Sequence, residues 1–97
     1  MVRHVAMFTF KEEAPSDAAA QLEEGLFLLA QTIEEIEAYT YGADLDLREG
    51  NYDFAVVADF ENAADFKAYA GHPDHQAFIK DRLTPLLAER VSIQFDL

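Results

Sequence analysis

The sequence predicts an α+β fold, a four-stranded antiparallel sheet with helices on one face, in the order βαββαβ. Three observations lead there. Four segments have strand character, the last of them in unbroken alternation, and two intervening stretches repeat apolar residues at helical spacing. The strands are also apolar on both sides, so both sheet faces need cover.

Residues 2–10 open the chain as a strand, with His4, Ala6, Phe8 and Phe10 on one face and Val5, Met7 and Thr9 on the other. After a polar turn at 11–15, Ser16 is placed to cap a helix. Leu22, Leu26, Leu29 and Ile33 form its apolar stripe, flanked by Phe27 and Ala30. Gly25 costs that helix about 1 kcal/mol against alanine, which points to a close approach of another backbone or to space left for a ligand. Residues 36–43 read as a second strand, with Tyr39 and Tyr41 on one side and Ala38 and Thr40 on the other. The acidic stretch 44–51 is a loop containing Gly50. A third strand spans 52–60, with Phe54, Val56, Ala58 and Phe60 on one face and Ala55 and Val57 on the other.

Asn62 caps a short helix that carries Phe66 and Tyr69 and ends at Gly71, which suits a C′ position. Pro73 opens the next helix at N1, with His75, Phe78, Ile79, Arg82 and Leu86 inward. Pro85 kinks or restarts it, with Thr84 as local cap. Residues 90–97 set Val91, Ile93, Phe95 and Leu97 against Arg90, Ser92, Gln94 and Asp96. This pattern is that of a ferredoxin-like sheet, and residues 1–97 form a single domain. Helices of this size cover one sheet face. The other, lined by Val5, Met7, Ala38, Ala55, Val57, Val91, Ile93 and Phe95, is expected to be covered by a second copy. The expected assembly is a two-fold homodimer whose sheets face each other and close into an α+β barrel.

Seven basic against nineteen acidic side chains give a net charge of −12, which repels DNA, RNA and anionic membranes. No nucleic acid or membrane is expected as a partner. Cysteine is absent, so disulfides and thiol nucleophiles are excluded. Apolar runs are too short for a membrane span, and Arg3-His4 interrupts any signal-peptide reading, so a cytoplasmic location is expected. The sequence has no Gly-rich phosphate loop, nucleophile elbow or dinucleotide fingerprint, and no cofactor is expected.

Chemistry concentrates in Tyr69-Ala-Gly-His-Pro-Asp-His-Gln-Ala-Phe78, which holds two of the three histidines, His72 and His75. His75 lies one turn inside a helix and titrates near neutrality, as general acid/base work requires. His72, before a proline at a helix junction, reads first as a capping or packing residue. His4 reads first as a satisfied buried histidine. Phe8, Phe27, Phe54, Phe66 and Phe78 are core residues in the first instance, some of them able to line a cavity. His72 and His75 at i and i+3 lack a third spaced ligand, so no metal is expected.

The opening Arg-His-Val-Ala-Met-Phe-Thr-Phe, the central Gly-Asn-Tyr-Asp-Phe-Ala-Val-Val-Ala-Asp-Phe and above all the Tyr69–Phe78 segment resemble the stress-responsive α/β-barrel family, Dabb. The resemblance implies a dimeric α+β barrel. It also implies a site, because a plant member closes a linear tetraketide by a cofactor-free, aldol-type condensation using a tyrosine and a histidine of this segment. Those two fall on Tyr69 and His75 as catalytic candidates. The expected pocket around them comprises His4, Phe8, Phe27, Phe54, Val56, His72, Phe78 and Gln94, and would hold a small apolar or aromatic ligand. Two departures weaken the analogy. Glu34-Glu35 stands where members often carry Pro-Gly. Gln94, before Phe95, stands where a carboxylate commonly orients the histidine, with Asp96 two residues on as a substitute. Two functions follow: a small-molecule pocket with acid/base catalysis, or a non-enzymatic dimeric stress or ligand-binding protein. Related dimeric barrels that act as cofactor-free oxygenases add a third outcome.

Overall fold

Strand-forming sequence dominates the start of the chain, and in the computed structural model, which describes residues 1–97, Val2–Phe10 form β1. Helix α1 (Ala18–Thr32), strands β2 (Ala38–Ala43) and β3 (Phe54–Phe60), and helices α2 (Ala63–Gly71) and α3 (Pro73–Phe78) follow. A π-helical turn, Ile79–Leu83, extends α3 before β4 (Leu87–Asp96). The sheet order is β2-β3-β1-β4 with every pair antiparallel, a ferredoxin-like βαββαβ topology. No helix is long and apolar enough to cross a membrane.

Register assigns the faces. Ala6 pairs with Val56 and Ser92, and Tyr41 with Val56, so these side chains share the helix-covered face. Leu22, Leu26 and Ile33 of the α1 stripe, with Phe54, Phe60 and Leu83, are the fully buried centre of the core. The opposite face carries Val5, Met7, Val57, Val91, Ile93 and Phe95. Ile93 is 60% exposed and Phe95 44% exposed, so no part of the chain itself covers this side. Arg3 and Asp59 also lie there in a two-pronged pair, Nε to Oδ1 at 2.8 Å and Nη2 to Oδ2 at 2.9 Å. The guanidinium holds the Asp59 carboxyl below the usual carboxylate range.

Several boundaries differ from those the sequence predicts, and hydrogen bonding explains most of them. The residue capping α1 is Asp17, not Ser16, since Gln21 N–H donates to Asp17 O at 3.0 Å. β2 begins at Ala38, not residue 36, because the Ile36 N–H is taken by Ile33 O in a turn. β3 begins at Phe54 rather than residue 52. β4 starts earlier, at Leu87, where it pairs with Phe10. Pro85 therefore sits in the turn between helix and strand and restarts nothing. Gly71 is the last helical residue of α2, and its role as terminator passes to His72, which is extended at φ −62°, ψ 134°. The β2–β3 loop reverses through left-handed backbone at Asp46 (φ 61°) and Gly50 (φ 83°).

Gly25 does mark a close approach, but to side chains. A Cβ built there would lie 2.6 Å from the Phe78 ring and 2.8 Å from the Arg82 stem. Gly25→Ala is therefore predicted to destabilise the fold despite its better helix propensity. Overpacking costs about 1–3 kcal/mol and propensity returns at most about 1 kcal/mol. A lowered urea midpoint at unchanged m-value checks this.

Candidate functional site

The site is built from the α2–α3 junction. Asn62 accepts the Asp65 N–H at 2.8 Å to start α2, on which Phe66 and Tyr69 fall one turn apart facing the sheet. The chain turns at His72, whose Nδ1 accepts the Asp74 N–H at 3.1 Å, and Pro73 occupies the first turn of α3. That break rotates α3 so that the rings of Tyr69 and His75 meet, with centroids 4.2 Å apart. Between this pair and the helix-covered sheet face lies a cavity of about 160 Å³.

His4, Phe8, Val56, Tyr69, His75 and Phe78 line that cavity. Four residues expected there do not. Phe27 points to solvent at 57% exposure, because it is about 100° round the helix from Leu26, which takes the inward place. Phe54 is buried in the core against Phe8 and Phe10, one layer away. His72 is occupied as the junction cap. Gln94 stands behind His4, its Nε2 2.8 Å from His4 Nδ1, and acts on the site through that ring. Phe66, one of the aromatics able to line a cavity, and Ile79, an inward residue, also stand on the cavity wall; Leu26 and Leu83 there, and Arg90 and Ser92 at the β4 rim, are not among the expected pocket residues. Alternation already places Arg90 and Ser92 on the same face as Gln94, which was the available signal. Tyr39 was also missed: its hydroxyl lies 2.8 Å from that of Tyr69.

The two imidazoles are held in opposite tautomers. The His75 Nδ1 lies 3.2 Å from the Ala70 carbonyl, which can only accept, so Nδ1 carries the proton and Nε2 keeps its lone pair. The Gln94 amide nitrogen only donates, so His4 Nδ1 accepts and its proton sits on Nε2. No carboxylate orients His75, and Asp96, paired with Val2 at the far end of β4, does not supply one. Burial is the main cause lowering both histidines from 6.5. His75 depresses His4 further, and Arg90 and His72 depress His75, against the hydrogen bond to Ala70. Both rings are thus neutral near pH 7. Burial raises the Tyr69 phenol, opposed by its hydrogen bond to Tyr39. No three His, Asp or Glu side chains converge as a metal-ligand set.

The chain is thus a small ferredoxin-like α+β domain with an apolar cavity between sheet and helices, bordered by tyrosine and histidine. Residues 2–97 match the Stress responsive A/B Barrel Domain, Dabb, and the chain belongs to that family. A dimeric ferredoxin-like protein of unknown function from Thermobifida fusca is 44% identical, with 99% of this chain and 90% of that one covered, at a TM-score of 0.90. A Dabb family protein from Mesorhizobium loti is 23% identical, with 99% and 95% covered, at a TM-score of 0.82. A hydroxynitrile lyase from Passiflora edulis is 21% identical, with 97% and 90% covered, at 0.84. The last two likenesses show the fold alone. No curated protein matches the sequence.

The histidines give a pH prediction. With folded values below the unfolded 6.5, each contributes stability that is complete above about pH 6.5 and is lost as pH falls through the depressed value. Between about pH 7 and pH 5 the urea midpoint is predicted to fall, and to fall less in His4→Gln.

Proposed function

We propose that the protein is a homodimer in which each subunit holds a small apolar or aromatic ligand and catalyses proton abstraction next to a carbonyl. The observation that carries this reading is the Tyr69–His75 pair at the wall of the apolar cavity, with the His75 Nδ1 tied to Ala70. His75 Nε2 is then the base, neutral at pH 7 and able to take a proton from a carbon beside the carbonyl. The electron pair left behind moves onto the carbonyl oxygen. With Tyr39 donating to Tyr69, the Tyr69 O–H is free to donate to that oxygen as charge develops, and His4 Nε2–H is a second donor. The cavity wall keeps water away and strengthens both contacts.

The exposed Met7, Val91, Ile93 and Phe95 support the dimer, as does the dimeric description of the Thermobifida fusca relative at 44% identity. A second reading, ligand binding without turnover, is favoured by one observation: a backbone carbonyl, not a carboxylate, orients His75, so its basicity gains less.

Deuterium exchange at the methyl group of acetophenone in D₂O, followed by proton NMR, tests the chemistry. The protein is predicted to accelerate exchange, and His75→Ala to lower that acceleration by about 10²–10⁴-fold while sedimentation still shows a dimer. Unchanged exchange in the variant overturns the assignment, and binding without exchange in the parent selects the second reading. For the assembly, Ile93→Asp is predicted to give monomers at micromolar concentration by sedimentation velocity.

A further inference from the structure

We propose that the ligand is a small aromatic carboxylate, its ring in the cavity and its carboxylate held by Arg90 at the β4 rim. This rests on the reading of the cavity as a ligand site and names what that site selects.

β4 is an edge strand, and its helix-side row of Arg90, Ser92 and Gln94 is polar and exposed. Gln94 is committed to His4. The side chains of Arg90 and Ser92 make no hydrogen bond or ion pair within the protein, so they are the free donors at the mouth. Arg90 is also the one permanent charge among the residues around the cavity, since both histidines there are neutral.

No carboxylate reaches Arg90, whereas Arg3 holds Asp59 and Arg82 approaches Glu24 at 3.8 Å. Lys11, Arg48, Lys67 and Lys80 are equally free of ion pairs, and what sets Arg90 apart is its place on the cavity lining. The adjacent Glu89 is 3.5 Å from the Tyr52 hydroxyl instead. A guanidinium with its planar fork free, beside an apolar chamber, matches a carboxylate that arrives attached to an apolar body. The chamber sets the size of that body. Its volume, about 160 Å³, is close to the roughly 150 Å³ apolar cavity known to take one benzene ring. The net charge of −12 does not forbid an anion, because beyond about 8 Å physiological salt screens it and the nearest charge decides.

Calorimetric titration of benzoate and its neutral isostere benzamide, at about 0.15 M salt, tests this on the parent and on Arg90→Gln. Arg90 is exposed, so its replacement leaves the core intact. The expected result is benzoate bound at least about tenfold more tightly than benzamide by the parent. Arg90→Gln removes that preference and leaves benzamide affinity unchanged, and Arg90→Lys restores part of it. Equal affinities in the parent, or a preference that survives Arg90→Gln, overturns the inference while the cavity stands. Failure of both probes to bind overturns the reading of the cavity as well.

Discussion

The approach of α3 to α1 is closest where the Phe78 ring sits over Gly25, and Phe78 also lines the cavity. α1 lies directly on the sheet through Leu22, Leu26 and Leu29, and α3 lies against α1 where the missing side chain leaves room. Phe78 thus reaches helix and cavity together, and His75, one turn earlier on α3, is held over the chamber. The wide turn that follows, closed by Thr84 N–H to Ile79 O at 2.8 Å, turns Ile79 and Leu83 onto the same wall. Close packing makes such an arrangement respond to single carbon atoms, and a side chain added at Gly25 would press on Phe78, which lines the same cavity as His75.

The sheet divides its work between its faces. One face meets the helices and borders the chamber; the other is apolar and uncovered, with the Arg3–Asp59 pair set into it. β4 concentrates the contrast. Val91, Ile93 and Phe95 point one way, and Arg90, Ser92 and Gln94 the other. A strict period of two lets one strand serve the proposed subunit contact and the proposed ligand mouth without compromise, since neither row intrudes on the other.

The strands were legible because period two is a local signal, and so were Asn62 and Pro73, whose roles are decided within a turn. The Tyr69–His75 pairing was legible through the family segment, and the His-Pro break supplies its mechanism. Residues that depend on angle or on distant partners were not. Phe27 and Leu26 are neighbours in sequence, and only the docking angle of α1 decides which of two large apolar groups goes inward. Tyr39 meets Tyr69 across thirty positions, with nothing local to announce it. Ile79 is inward by helical spacing, but Leu83 is obscured by the wide turn, which departs from the 3.6-residue period. The sequence allows His72 as either a cap or pocket lining, and its bond to the Asp74 N–H commits it to the first.

The strand order also leaves β2 and β4 each with one side unpaired, a row of N–H and C=O groups able to template an incoming chain. Acidic residues flank these margins, Glu37 and Asp44 beside β2, Glu89 and Asp96 on β4, and like charges at an edge oppose the pairing of a second chain. The net negative charge that keeps copies apart falls to zero near the isoelectric point of about 4.3. Falling pH therefore works against the histidine-lined interior and against charge repulsion between copies together, so colloidal stability and folded stability weaken on the same side of neutrality.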